Sequence, residues 1–201
     1  MLGMDLSVAA YFYQMSEELD RLDTAAVQRL SDRIYGAWLD DRQIFTLGNG
    51  GSAATATHYA ADWAKNTVSP EDLSGWSGRR LRMISLVEQM AWITALGNDL
   101  AYDQIFVQQL IHFGRPGDLV IAISGSGNSP NVLNAVQWAN DNGLTTFGMT
   151  GYDGGRLKKV VTDGVHVALN DMAMVESIHT AIGHYVVDDL AARMQKRGKY
   201  A

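Results

Sequence analysis

LVIAISGSGNSP, residues 119–130, runs from an apolar strand through a glycine- and serine-rich loop into a helix. Leu119 to Ile123 is a continuous apolar run, the pattern of a strand covered on both faces in a parallel sheet. At the other end Ser129 suits an N-cap, Pro130 the first helical position and Gly143 the C-terminal stop. A helix start offers unpaired N–H groups and a partial positive charge. Glycines let backbone approach a ligand, and Ser124, Ser126 and Ser129 can each donate to a phosphate oxygen. The stretch is therefore an anion site built without lysine, unless Ser129 is only a cap and the other serines are turn residues.

Outward from this unit the same grammar repeats. Ile44 to Leu47 leads into GNGGS, residues 48–52, and a helix starting near Ser52. Leu81 to Val87 leads through a stretch of helical character to LGNDLAYDQIF, where Ile105, Val107, Leu110 and Ile111 predict another helix. Thr145 to Thr150 is closed by GYDGG, Val165 to Leu169 is the last strand, and a final helix covers about Met174 to Met194. Before all of these stand two amphipathic helices, the second from the start signal Asp23-Thr24 with Val27, Leu30, Ile34 and Trp38 at helical spacing. Residues 66–78 read as an irregular loop. This alternation is an α/β fold with a parallel sheet.

Ligands of open α/β sheets bind beyond the carboxyl ends of the strands, where GNGGS and SGSGNS both fall. GNGGS alone is a weak signal, since it matches neither GxGxxG nor GxxxxGK[ST].

Composition narrows the rest. A chain of 201 residues, 47% hydrophobic and 19% charged, suits one globular domain spanning residues 1–201. With no cysteine there is no disulfide framework, and a metal must sit on His and carboxylate ligands. The first residues lack a positively charged start and no run approaches the roughly 20 apolar residues of a bilayer span, so neither secretion nor a membrane partner is expected. A net charge of -6 argues against a nucleic-acid surface and puts the burden of holding a phosphate on local donors.

His58 and Asp62 are four apart, about 40° around a helix axis and one turn along it, so both can face one ligand. By itself such a pair is more often a solvated or hydrogen-bonded couple. The last helix adds Glu176, His179 and His184. Glu176 and His184 are eight apart, about 12 Å of rise, which is long for two ligands of one ion. His179 reads as an interior histidine.

Taken together these segments resemble the SIS (sugar isomerase) domain and, within it, the phosphoheptose isomerases. GNGGS with S-x-S-G-N-S is the specific part. The likeness extends through HYAAD (58–62), GND (97–99), MTGYDGG (149–155) and ESIHTAIGH (176–184). It implies a five-stranded parallel sheet flanked by helices, a flavodoxin-like sandwich, with residues 1–42 used in packing and oligomerisation. It further implies a cytoplasmic homotetramer whose active sites form where subunits meet, and an aldose–ketose isomerase acting on D-sedoheptulose 7-phosphate through an enediol. The product would be D-glycero-D-manno-heptose 7-phosphate.

Carried over by position, the resemblance implies one zinc per subunit on His58, Asp62, Glu176 and His184, with Asp62 as base and His184 as acid. Asn49, Gly50, Gly51, Ser52, Asn98, Asp99 and Glu176 would contact the sugar, while Ser124, Gly125, Ser126 and Ser129 take the phosphate. Asn98 and Asp99 read equally as a polar turn. The chain departs from the family pattern at Asp62, where glutamate is usual, and at Glu176, where glutamine is usual. A non-catalytic tetrameric SIS protein, binding a phosphosugar or the replication initiator, would keep the serine loops and lose the acid–base pair.

Overall fold

Ile121 and Ala122 are fully buried because the strand that carries them has helices on both faces. The computed structural model describes residues 2–201. In chain order the elements are α1 (Val8–Asp20), α2 (Thr24–Leu39), β1 (Gln43–Gly48), α3 (Gly50–Asn66), α4 (Pro70–Gly75), β2 (Arg82–Ser85) and α5 (Met90–Asp99). They continue with α6 (Val107–Phe113), β3 (Leu119–Ser124), α7 (Pro130–Asp141), β4 (Thr145–Thr150), α8 (Leu157–Val160), β5 (Asp163–His166) and α9 (Met172–Met194).

All five strands are parallel, in the order β2-β1-β3-β4-β5. Alternation along β3 sorts its side chains. Leu119, Ile121 and Ile123 join a core built with α2, α3 and α9, while Val120 and Ala122 join one built with α6 and α7. Each of these leucine, isoleucine and valine side chains contributes about 1.5–3 kcal/mol by leaving water.

The strand order reverses between β1 and β3: the chain moves outward to β2, then returns and builds to β4 and β5. Gly48 pairs with Ile123 in this register, so GNGGS and SGSGNS leave adjacent strands at the same level. That is the topological switch point, where an open sheet leaves a crevice.

Several boundaries differ from the sequence reading. Residues 66–78 contain α4, a helix made by local chemistry: the Ser69 hydroxyl accepts from Asp72 N–H at 3.0 Å and Pro70 takes the first turn. The helix after GNGGS starts at Gly50, which adopts φ +54°, and α9 starts at Met172 because Asp171 caps it through Met174 N–H. β5 ends at His166 because its partner β4 ends at Thr150. Asn98 and Asp99 are the last residues of α5 and form no turn after Leu96-Gly97. Among the described residues no helix is long and apolar enough to cross a membrane.

Candidate active site

Ser52, Ser124, Ser126 and Ser129 meet in one cavity of about 220 Å³ at the switch point. Asn49, Gly50, Gly51, Gly125 and Glu176 line it as well, with Ile123 and Met172. No lysine or arginine takes part. The cavity faces the N-termini of α3 and α7, whose dipoles supply the positive potential together with the N–H groups left unpaired; in α7 Pro130 has none and that of Val132 goes to Asn131 Oδ1.

Local bonding decides which hydroxyls are free. Ser124 Oγ accepts from Gly127 N–H at 3.1 Å and Ser126 Oγ from Asn128 N–H at 3.3 Å, so both shape the loop and retain their own hydrogens. Ser129 holds the N-cap position of α7 yet makes no capping hydrogen bond. Its hydroxyl is left to the cavity.

The loop is braced from behind by the turn at residues 151–155. Gly151 N–H donates to Gly125 O at 2.9 Å and Arg156 N–H to Asn128 Oδ1 at 3.1 Å. Gly127 has φ +65°, and a Cβ there would lie 2.0 Å from Gly154 O, so only glycine permits the approach.

Glu176, in the second turn of α9, lays its carboxylate over Gly51, where a Cβ would sit 2.2 Å from its Oε2. No donor among the described residues pairs with that carboxylate. Met172 occupies the corresponding place over Gly125, its Sδ 2.4 Å from where a Cβ would be.

Helices α3 and α9 run parallel, their seam closed by Tyr59 and Trp63, which stack at 4.3 Å. Trp63 Nε1 donates to Gly183 O at 3.0 Å and Tyr59 OH donates to His179 O. Further along this seam His58 and His184 bring their Nε2 atoms to 3.0 Å. Asp62 adds a carboxylate oxygen, so the three donors lie within 4.8 Å of one another. Asn66 Nδ2 donates to Asp62 Oδ1 and steadies it. His58 and His184 are exposed and Asp62 half-buried.

The cluster does not include Glu176, which stays with the serine cavity two turns back along α9. Asn98 and Asp99 are exposed, bond to each other at 2.8 Å and do not line the cavity. His179 is fully buried, with Nε2 3.4 Å from Thr150 O and Nδ1 without a partner. Burial pushes its pKa down to about 4.

Two residues that hold a lining residue of the cavity were not anticipated. Asn131 and Tyr102 both hydrogen-bond to Asn49. Asn131 lies two residues after Ser129 in the first turn of α7, the one local hint available.

The family model described as SIS domain matches residues 10–151. The phosphoheptose isomerase of Trichlorobacter lovleyi is 38% identical over 181 residues, covering 89% of this chain and 86% of that protein. Among solved structures, the phosphoheptose isomerase of Neisseria gonorrhoeae superposes with a TM-score of 0.81 at 28% identity, covering 92% of this chain and 97% of that one. That of Francisella tularensis gives 0.81 at 26%, covering 95% and 99%.

Proposed function

We propose, from the premise that this chain belongs to the SIS-domain family and within it to the phosphoheptose isomerases, how its two groups of polar residues share one sugar phosphate. The protein is an aldose–ketose isomerase of sedoheptulose 7-phosphate. The phosphate goes to Ser124, Ser126 and Ser129 with the α7 N-terminus; Asn49, Ser52 and Glu176 contact the adjoining hydroxyls. The reacting end reaches His58, Asp62 and His184.

One observation carries this arrangement: α3 joins the two groups, Gly51 in the lining of the serine cavity and His58 in the histidine cluster being seven residues apart, which is about 10 Å along a helix. An extended chain gains about 1.2 Å per bond, so the eight or so bonds from a 7-phosphate to C1 cover about the same length. Five-, six- and seven-carbon ketose phosphates tested side by side should give the highest kcat/KM for the seven-carbon one. Equal or better turnover of the five-carbon substrate would refute the ruler.

Isomerisation moves one proton between C1 and C2. Asp62 takes the C1 proton while His184 gives a proton to the C2 carbonyl oxygen, forming the enediol. The carboxyl group then returns its proton to C2 and the imidazole recovers one from the C1 hydroxyl, which leaves an aldehyde at C1 and both side chains as they began. Asn66 holds one oxygen of Asp62 and so points the other.

The donor set fits a zinc ion: two imidazole nitrogens 3.0 Å apart beside a carboxylate are close to the spacing of neighbouring ligands in a tetrahedral site. His58, Asp62 and His184 would hold it, leaving a position for substrate, and it would supply Lewis-acid polarisation of the sugar oxygens. His184 has a second ring nitrogen and each Asp62 oxygen has two lone pairs, so holding an ion does not exhaust their capacity for a proton.

The assembly is a homotetramer in the cytoplasm, with residues 1–42 at its contacts. Phe12 and Tyr13 on α1 are 63% and 68% exposed, which supports a partner surface there.

A further inference from the structure

Asn131 is the second residue of α7 and only 1% exposed. Its Oδ1 accepts from the Val132 backbone N–H at 3.0 Å, which dictates which end of the amide is oxygen. The same Oδ1 accepts from Asn49 Nδ2 at 2.9 Å, and Asn131 Nδ2 donates to Asn49 Oδ1 at 2.8 Å. Tyr102 OH donates to Asn49 Oδ1 as well, at 3.1 Å. Because the Val132 N–H is a donor and nothing else, neither amide can be turned over. Both acceptor positions of Asn49 Oδ1 are then taken, and one hydrogen on its Nδ2 is what the side chain has left to offer the cavity it lines.

We propose that Asn131 is a positioning residue for the isomerase, acting through Asn49: it makes Asn49 present an N–H donor to the sugar phosphate and never its carbonyl. Tyr102, from the turn that follows α5, completes the orientation. The partner of that N–H is an acceptor oxygen of the substrate, on the phosphate or an adjoining hydroxyl. The pair also binds the two loops of the switch point, since Asn49 opens α3 and Asn131 lies in the first turn of α7. A void or an inverted dipole at either place leaves the other amide, Asn131 buried or Asn49 half-buried, without its partner.

The inference rests on the isomerase reading for turnover, but binding can be read without it. The experiment compares wild type, Asn131→Ala, Tyr102→Phe, Asn49→Ala and the Asn49→Ala/Asn131→Ala double variant. For each, calorimetry gives the Kd of sedoheptulose 7-phosphate, steady-state kinetics give KM and kcat, and thermal unfolding gives Tm. Asn131→Ala should raise Kd and KM about tenfold while kcat changes far less, and should add nothing further in the Asn49→Ala background. Tyr102→Phe, at a side chain 60% exposed, should raise both about threefold with Tm unchanged.

Equal effects of Asn131→Ala in both backgrounds would overturn the proposal, as general loosening of the loops does not depend on Asn49. So would an unchanged Kd in Asn131→Ala. If that variant does not fold, Tyr102→Phe decides alone, and an unchanged Kd there overturns the proposal. Wild type that binds the sugar phosphate without converting it would sink the isomerase reading, and the cycle in Kd would still decide this one.

Discussion

His58 and His184 meet nitrogen to nitrogen at 3.0 Å although 126 residues separate them, because α3 and α9 lie side by side along their length. Two imidazoles so placed, beside Asp62, are organised for a shared ion. Zinc titration of purified protein should give one site per chain. His58→Ala and His184→Ala should each weaken it by more than about a hundredfold, beyond what loss of a supporting outer partner costs. Undiminished affinity in either variant would remove the metal from this cluster.

Ser129 separates a binding role from a structural one. An N-cap serine changed to alanine ordinarily costs about 1 kcal/mol, but this hydroxyl makes no cap bond. Ser129→Ala should therefore leave Tm nearly unchanged and weaken binding of the phosphosugar by about 1.5–3 kcal/mol, the worth of a hydrogen bond to a charged group. A clear loss of Tm with unaltered KM would make Ser129 a cap after all.

Gly183 sets the closeness of the seam. A Cβ there would lie 1.9 Å from Tyr59 Cε1, in the stack of Tyr59 on Trp63. Gly183→Ala should destabilise by about 1–3 kcal/mol or more, a Tm loss of several degrees, and should lower zinc affinity because His184 is the next residue. Stability equal to wild type would mean that the helices part without cost.

His179 predicts the acid limb of stability. Its folded pKa of about 4 is below the usual histidine value because burial disfavours the imidazolium. Between about pH 6.5 and 4 the unfolded chain therefore binds more protons, so this residue's contribution is complete above about 6.5 and falls away as the pH drops to about 4. The total is on the order of 3 kcal/mol. In metal-free protein, His179→Gln should flatten the fall of unfolding free energy across that window; an unchanged slope would show that other groups produce it.

What was legible in the sequence was what local chemistry determines. The run Leu119–Ile123, the serine loop and Pro130 specify strand, loop and helix within 12 residues, and the fold follows from repetition of that unit. α4 was not legible because a six-residue helix has no hydrophobic period, only the cap at Ser69. Asn98 and Asp99 read equally as a polar turn and as sugar contacts, yet α5 runs through Gly97 to Asp99 and leaves both exposed, away from the serine cavity. The spacing of His58 and Asp62 announced a shared face. The approach of His184 to them depends on Gly183 against Tyr59, a tertiary contact without a sequence period. Asn131 and Tyr102 escaped for the same reason: their hydrogen bonds to Asn49 cross between separate elements.

The central claim is that this chain exchanges a proton between C1 and C2 of sedoheptulose 7-phosphate. Zinc-loaded protein incubated with that sugar in deuterated water, followed by NMR, tests it most directly. The account predicts appearance of the aldose heptose 7-phosphate with deuterium entering at the exchanging carbon, and loss of both in His184→Ala that still binds the sugar phosphate. Folded, zinc-loaded wild type that binds the sugar yet forms no aldose and admits no deuterium would contradict it.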